Sequence, residues 1–453
     1  MEVKLDEKDA ADWTYRGEGA CNIVLAYSGS SPIFIGKVMR IQKVARNGKS
    51  GGVQRNLELS EKEKLLWRDA EEVVSSPNRE IADQLYVKHV MTPLLGAKYV
   101  DSGMRVLVTR NFLEAVEKNV MSWRPAWRVD ASKVDLKRDS VVIMSDHSVF
   151  PHGVLKGGAC ISVEIKPKCG FLPVSKFIAE GNSVKRSTTR FRMHQALKLQ
   201  QQVISELSKY NPLDLFSASK ERILKAIKDL YTTPQNNFRV FLNGSLVLGG
   251  LGGGAKKTDA ATEEAFEDVL EGIIRSEKDL RTSSFIELVA ETVYSSGVLN
   301  QLLEVQKLDT LDIEGAIHAY YNLVCQPCVV CKEFDAARVT HEYAFLHSIP
   351  MDESLKILKN FLIAATAKDC SLMITFRPRE DDLGSVQSSV YLQSTDQNFD
   401  YKVNFIDLDL KPLRKMVDYY ELDKRVLSYY TSAVKMEHGK GNTPSMEIYE
   451  VRR

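Results

Sequence analysis

Short runs rich in β-branched and aromatic residues are scattered along the chain, and their placement constrains the fold more than any other feature. One group lies early: WTYRGEGACNIVLAY (13–27), IFIGKVMRI (33–41), RVLVTR (105–110) and SVVIMSD (140–146). A second group follows at ACISVEIKPKCGF (159–171), NNFRVFLNGSLVLGG (236–250), CSLMITF (370–376) and DYKVNFIDLDL (400–410). Each run has the composition of a strand bounded by turn residues, except that NNFRVFLNGSLVLGG reads as a hairpin of two, and the turn SGSSP (28–32) joins the first two runs. Between them, three- and four-residue apolar spacing predicts helices over LSEKEKLLWRDAEEVV (59–74, ended by SSPN), TTRFRMHQALKLQQQVISEL (188–207) and AFEDVLEGIIRSE (265–277), with most of the remainder helical. GGLGGGAKKTDAATEE (249–264) and REDDLGSVQSS (379–389) read as polar surface loops. A chain of 453 residues exceeds what one ordinary core fills, so two lobes or more are expected. No internal repeat is found at any period.

Charge excludes one class of function. Lys+Arg 61 against Asp+Glu 60 leaves a net charge of +1, far from the basic footprint of a nucleic-acid coat. No apolar stretch approaches the roughly 20 residues of a membrane span, and MEVKLDEKDA is too charged for a secretory signal. Cytoplasm or nucleus is the expected compartment, with reduced thiols. Of the 7 cysteines, Cys325, Cys328 and Cys331 crowd together, which suggests metal before disulfide.

Several constellations carry chemistry. Arg16-Gly17-Glu18-Gly19-Ala20-Cys21-Asn22 can bring backbone N–H groups against phosphate oxygens, with a cation from the next strand, Lys37 to Arg40, behind them. A bulged strand edge explains the glycines equally well on local grounds. The run GGLGGGAKKT lacks the Gly-Lys-Ser/Thr of a phosphate loop and reads as a linker. Glu164, Lys166 and Lys168 alternate, so an extended strand would turn all three to one face, either solvated or toward a polyanion. Pro167 and Gly170 beside them favour a shaped site. Further basic groups occur at Arg124 and Arg128, at Lys185, Arg186, Arg190, Arg192 and Lys198, and at Lys411, Arg414 and Lys415. If folding gathers them they make one focused basic pocket. Asp407 and Asp409 would share one side of a strand, where a carboxylate can hold Mg²⁺. Asp369, at a helix–strand junction, suits a general base, a second metal ligand or a polar turn. His318, Cys328, Cys331 and His347 form H-x9-C-x2-C-x15-H, a tetrahedral zinc set with Cys325 and His341 as competitors. An iron–sulfur reading lacks a nearby fourth cysteine.

Taken in order, RGEGACNIVLAY, VEIKPKCGFLP, RFRMHQALK, TPQNNFRVFLNGSL, LDIEGAIHAYYNL, ATAKDCSLMI and FIDLDLKP resemble the inositol-pentakisphosphate 2-kinases, and the plain N-terminus resembles the plant members. The resemblance implies an α+β, two-lobed, distorted protein-kinase-like fold with an enlarged C-lobe. It implies an N-lobe over 1–145 with the glycine-rich hairpin, a hinge at 146–150, and a C-lobe over 151–453 with the inositide region and a zinc site at 318–347. The implied reaction moves the γ-phosphoryl group of ATP to the axial 2-hydroxyl of inositol 1,3,4,5,6-pentakisphosphate, giving inositol hexakisphosphate (phytate). Gly17, Gly19, Ala20, Asn22, Arg40, Asp146, His147, Glu164 and Asp407 would then bind nucleotide, Asp407 through Mg²⁺. Asp369 would be the base, and Lys166 would neutralise the transferring phosphoryl. Arg128, Lys168, Lys198, Asn237, Arg239, Lys411, Lys415 and Tyr419 would hold substrate phosphates, and His318, Cys328, Cys331 and His347 structural Zn²⁺. A monomer acting on inositide and ATP, without membrane or nucleic acid, is expected. The alternatives are a catalytically silent inositol-polyphosphate-binding protein and a zinc-dependent nucleic-acid binder.

Overall fold

A computed structural model describes residues 4–19, 21–46, 58–150, 159–250, 258–332, 343–379 and 388–439. The early strand runs build one sheet from β1 (Lys4–Leu5), β2 (Trp13–Glu18), β3 (Asn22–Tyr27), β4 (Lys37–Ala45), β5 (Met104–Val108), β6 (Ser132–Val134) and β7 (Ser140–Ser145). Its order is β1-β5-β7-β4-β3-β2, with β6 added on β4. Among the described residues of this sheet, β1 and β5 are the one pair that runs parallel. The run 13–27 is therefore a hairpin rather than one strand: the chain reverses after Gly19, and a register shift between Tyr15 and Gly17 bulges the edge. Trp13, Ile23, Leu25, Met39, Ile41, Val106 and Ile143 form the core of this sheet. Phe112, Leu113 and Val116 close it from the helix Arg110–Val120, whose first turn is capped by the Thr109 side chain on the Phe112 N–H. That helix was not foreseen, because its cap Thr109 and its first residue Arg110 are the last two residues of a strand-like run.

The later runs build a six-stranded antiparallel sheet from β8 (Ile161–Ile165), β9 (Phe238–Leu242), β10 (Ser245–Leu248), β11 (Ser371–Pro378), β12 (Ser389–Leu392) and β13 (Gln397–Ile406), in the order β10-β9-β8-β11-β13-β12. All five residues of β8 are buried, as expected of a central strand covered on both faces. Helices Lys220–Thr232, Arg281–Ser296, Val298–Gln306, Asp312–Val324 and Met351–Asp369 supply the larger core around it. Residues 59–100 pack into this same core through Leu66, Trp67, Tyr86 and Leu95. Val100 bridges Phe405, and the Phe405 N–H donates to the Tyr99 carbonyl at 2.7 Å.

Several expected boundaries moved. The helix over 59–74 is two pieces, Glu61–Leu66 and Glu71–Val74, because the chain turns at Trp67 to bury its indole edge-on to Tyr86, 5.2 Å between ring centroids. The helical run Arg79–Leu95, with a π turn at Val87–Met91, was missed although Asn78 caps it on the Ile81 N–H. The helix expected over 188–207 is Arg190–Gln200 and stops before the left-handed Gln202. The expected loop 249–264 already contains a helix start, Ala260, capped by Asp259, while 251–257 lies outside the described residues, as does 380–387 of the second polar loop. Strand β8 ends at Ile165 and β13 at Ile406, so neither alternation motif is fully strand. Among the described residues no helix is long and apolar enough to cross a membrane.

Candidate active site

Two loop segments leave the centre of the second sheet side by side: 166–171 after β8, and 407–411 after β13. Strand β11 lies between β8 and β13, and the helix Met351–Asp369 runs straight into its start. The ends of these elements therefore gather Lys166, Lys168, Asp369, Asp407 and Lys411 at one edge. Lys168 and Asp407 both adopt left-handed backbone, φ 62° each. For lysine this is strained, and strain of this kind concentrates at functional sites. The strand alternation predicted for 164–168 is thus replaced by a turn that brings the same side chains together.

The charges interlock. Lys166 Nζ lies 3.1 Å from Asp407 Oδ2 and 4.0 Å from Glu164 Oε1. Asp369 takes Lys168 Nζ at 3.5 Å and Lys411 Nζ at 3.2 Å on its two oxygens. Buried Glu164 accepts from Ser371 Oγ at 2.8 Å and from Arg239 at 2.9 Å. The side chains of Asp369 and Asp407 open to solvent, 61% and 50% exposed, yet the protein packed around the cleft still works against their ionisation. Lys168, Lys411 and Lys166 nonetheless hold Asp369 below the ordinary carboxylate range, and Lys166 and Arg40 do the same for Asp407. Burial lowers Lys168, with Lys166 and Lys198 as like charges adding to it, and burial also lowers Lys198. A cluster with compressed cations is one that gains from an arriving polyanion.

On the first sheet, Arg40 Nη2 reaches Asp409 at 2.9 Å, and Asp409 with Asp407 keeps the guanidinium firmly charged. The Asn22 amide is assigned with its oxygen accepting from Arg40 at 2.9 Å. Asn22, Arg40, Val142 and Met144 face Asp407 and Asp409 across a cavity also lined by Glu80, Asp83 and Asp101. At the hairpin tip the Gly19 carbonyl accepts from Lys43 at 2.8 Å and from Arg128 at 3.2 Å. Gly19 faces open space, Gly17 pairs with Val24, and Ala20 lies outside the described residues. Asp146 and His147 follow β7: Asp146 pairs with Arg16 at 3.3 Å, and burial together with nearby Lys402 pushes His147 down to about 4.

Other site candidates sit less centrally. The Asn237 carbonyl accepts from the Lys166 N–H at 2.9 Å, and its side chain is buried. Tyr419 packs 6.0 Å from Phe361 and lies in the field of Lys411 and Asp369. Lys415 pairs with Asp418 at 2.9 Å, and Arg128 stacks 4.1 Å from the Trp127 ring. Sequence reasoning missed Arg16, Lys402 and Ser371, whose partners are 130, 256 and 207 residues away. It also missed the buried triad of Glu18 with Arg124 at 2.9 Å and Lys43, although all three residues are charged and Glu18 and Lys43 stand in or beside predicted strands.

A separate constellation joins the helix Asp312–Val324 to the residues after it. His318 Nδ1 stands 3.5 Å from both Cys328 Sγ and Cys331 Sγ and 3.0 Å from His347 Nε2, with Cys331 to His347 at 3.2 Å. Tetrahedral zinc with imidazole and thiolate ligands has nitrogen–sulfur edges of about 3.5 Å, so this donor set fits it. The His347 Nδ1 faces Asn322 Oδ1 at 2.8 Å, which orients the ring for coordination through Nε2. Cys325 is exposed and stands apart from this group, and His341 lies outside the described residues.

Comparison with known proteins follows the same outline. The family model described as inositol-pentakisphosphate 2-kinase matches residues 15–425. The chain is 56% identical to an inositol-pentakisphosphate 2-kinase of Arabidopsis thaliana, covering 97% of each chain. It is 50% identical to one of Oryza sativa subsp. indica, over 95% of this chain and 96% of that one. A Danio rerio protein of the same name is 29% identical over 100% of this chain and 98% of its own.

Proposed function

The chain belongs to the inositol-pentakisphosphate 2-kinase family and is a kinase of that type, and we propose that the cluster around Asp369 and Asp407 is where it transfers phosphoryl. In this reading ATP gives its γ-phosphoryl group to the axial 2-hydroxyl of inositol 1,3,4,5,6-pentakisphosphate, yielding inositol hexakisphosphate and ADP. The observation that carries it is the convergence of Lys166, Lys168 and Lys411 on Asp369 and Asp407.

Phosphoryl transfer needs position and charge neutralisation more than covalent help from the protein. Asp369 accepts the 2-hydroxyl proton as that oxygen attacks. Lys166, held between Asp407 and Glu164, faces the moving phosphoryl. Arg40 and the hairpin with Gly17, Gly19, Ala20 and Asn22 take the nucleotide phosphates, and Asp146 and His147 take the adenine side. Asp407, an oxygen donor on the cavity wall, fits Mg²⁺, which when bound supplies positive charge between the nucleotide phosphates. Lys168, Lys198, Asn237, Arg239, Lys411, Lys415, Tyr419 and Arg128 surround the five substrate phosphates, where several fixed cations are required. As substrate phosphates draw Lys168 and Lys411 away, the field holding Asp369 acidic weakens and its basicity rises.

The same reading makes the first sheet the N-lobe of a distorted kinase-like fold (1–145), joined at 146–150 to a C-lobe (151–453). Residues 59–100 seat against the larger core, and the protein acts as a monomer in cytoplasm or nucleus. His318, Cys328, Cys331 and His347 hold structural Zn²⁺ that pins the chain after Val324 to its helix. Incubation with γ-labelled ATP and a panel of inositol phosphates tests the assignment. Label should enter the pentakisphosphate with a free 2-hydroxyl, and incorporation only into lower inositol phosphates would refute it.

A further inference from the structure

The strained Lys168 needs something to hold it, and the holder is uncharged. Gln306, the last residue of the helix Val298–Gln306, is 0% exposed and reaches both sides of the cluster. Its Nε2 donates to the Lys168 carbonyl at 2.8 Å and to the Ala367 carbonyl at 3.2 Å, and its Oε1 accepts from the Gly170 N–H at 2.8 Å. One amide thus satisfies three backbone groups: two in the lysine-bearing turn and one at the end of the helix that ends in Asp369.

We propose that Gln306 is a positioning residue for phosphoryl transfer, fixing the left-handed turn of Lys168 against the helix end that presents Asp369. The inference rests on the reading of Lys168 as a substrate-phosphate ligand and Asp369 as the base.

Neighbouring contacts make the turn depend on this amide. Tyr210 Oη donates to the Pro167 carbonyl at 2.7 Å, which fixes the entry to the turn. A Cβ on Gly170 would meet the Phe216 ring at 2.4 Å, so the exit has no room to shift. Lys368 Nζ pairs with Asp309 at 2.7 Å, so the residues just past Gln306 grip the same helix end a second time. A buried amide with all its partners is costly to replace by an apolar group, because the Lys168 carbonyl and the Gly170 N–H lose this partner together and the Ala367 carbonyl keeps only the weaker Cys370 thiol at 3.3 Å. Released, Lys168 would relax toward ordinary backbone and carry its ammonium away from Asp369.

The test is a double-mutant cycle on the full chain. Gln306→Met keeps the length and removes the three hydrogen bonds. It is expected to raise the inositide KM about tenfold and lower kcat by a comparable factor, with the ATP KM within about twofold of the parent. In a Lys168→Ala background the KM effect should shrink below about threefold while the kcat effect, carried through Ala367 to Asp369, remains. A full, independent KM effect in that background overturns the role assigned to Gln306. An unchanged KM for Lys168→Ala alone overturns instead the reading of the site. Should Gln306→Met not fold, Gln306→Glu, which keeps the acceptor for Gly170 and loses the donors, enters the same cycle with the same criteria.

Discussion

Replacing Asp369 by asparagine separates chemistry from binding more sharply than any other single change. The side chain is 61% exposed and packs no core volume, so the fold should persist. The amide cannot take the proton of an attacking hydroxyl, and removal of a positioned general base costs about 10² to 10⁴ in kcat, or roughly 3–5 kcal/mol of barrier. Binding should move the other way. Lys168 and Lys411 lose their carboxylate partner at 3.5 and 3.2 Å and stand free for phosphate oxygens. Inositide affinity measured by calorimetry should therefore hold or tighten while single-turnover transfer collapses. The carboxyl lies below its ordinary range in the free protein, so it is ionised throughout neutral pH, and in kcat/KM, which reports the free enzyme, base function is lost only as pH falls through that lowered value. An Asp369→Asn variant that transfers at more than about a tenth of the parental rate, or that binds inositide more weakly, would refute the base assignment.

Lys168→Ala should raise the inositide KM by roughly tenfold or more and spare the ATP KM, read from initial rates against each substrate. Glu18→Gln leaves Lys43 and Arg124 buried without a counter-charge at side-chain exposures of 1%, so about 3–5 kcal/mol of stability should be lost, seen as a lowered denaturant midpoint. The parental Glu18 carboxyl has its pKa depressed: burial opposes ionisation, but Arg124 and Lys43 outweigh it. Its contribution is thus full above the ordinary Glu value and disappears as pH falls through the folded one, so the Glu18→Gln deficit should narrow in acid. Elemental analysis should find one zinc per chain, and Cys331→Ser or strong chelation should remove it and lower Tm by on the order of 5 °C.

Charged chemistry was legible in the sequence and the backbone devices that aim it were not. The His–Cys cluster, a group that could hold a metal ion, could be read because C-x2-C is a local chelate, and His318 and His347 flank it on predicted helix. Glu164, Lys166 and Lys168 were found through an alternation that ends at Ile165, since nothing in one-dimensional spacing signals a left-handed lysine. Arg40 meets Asp409 across 369 residues, a pairing that only tertiary packing creates. Gln306 left no mark at all, because a lone glutamine closing an apolar helix is ordinary in composition and acts through carbonyls. Thr109 and Asn78 did carry cap signals, but each was absorbed into a neighbouring strand or turn run.

In the proposed mechanism both halves of the cluster act on one transferring phosphoryl group. The most direct check is a crystal structure with inositol 1,3,4,5,6-pentakisphosphate and a non-hydrolysable ATP analogue. The 2-hydroxyl should stand about 3 Å from an Asp369 oxygen, with Lys166 at the γ-phosphate and Lys168 and Lys411 on inositide phosphates. An inositide seated away from Asp369, or a γ-phosphate remote from Lys166 and Asp407, would contradict the account.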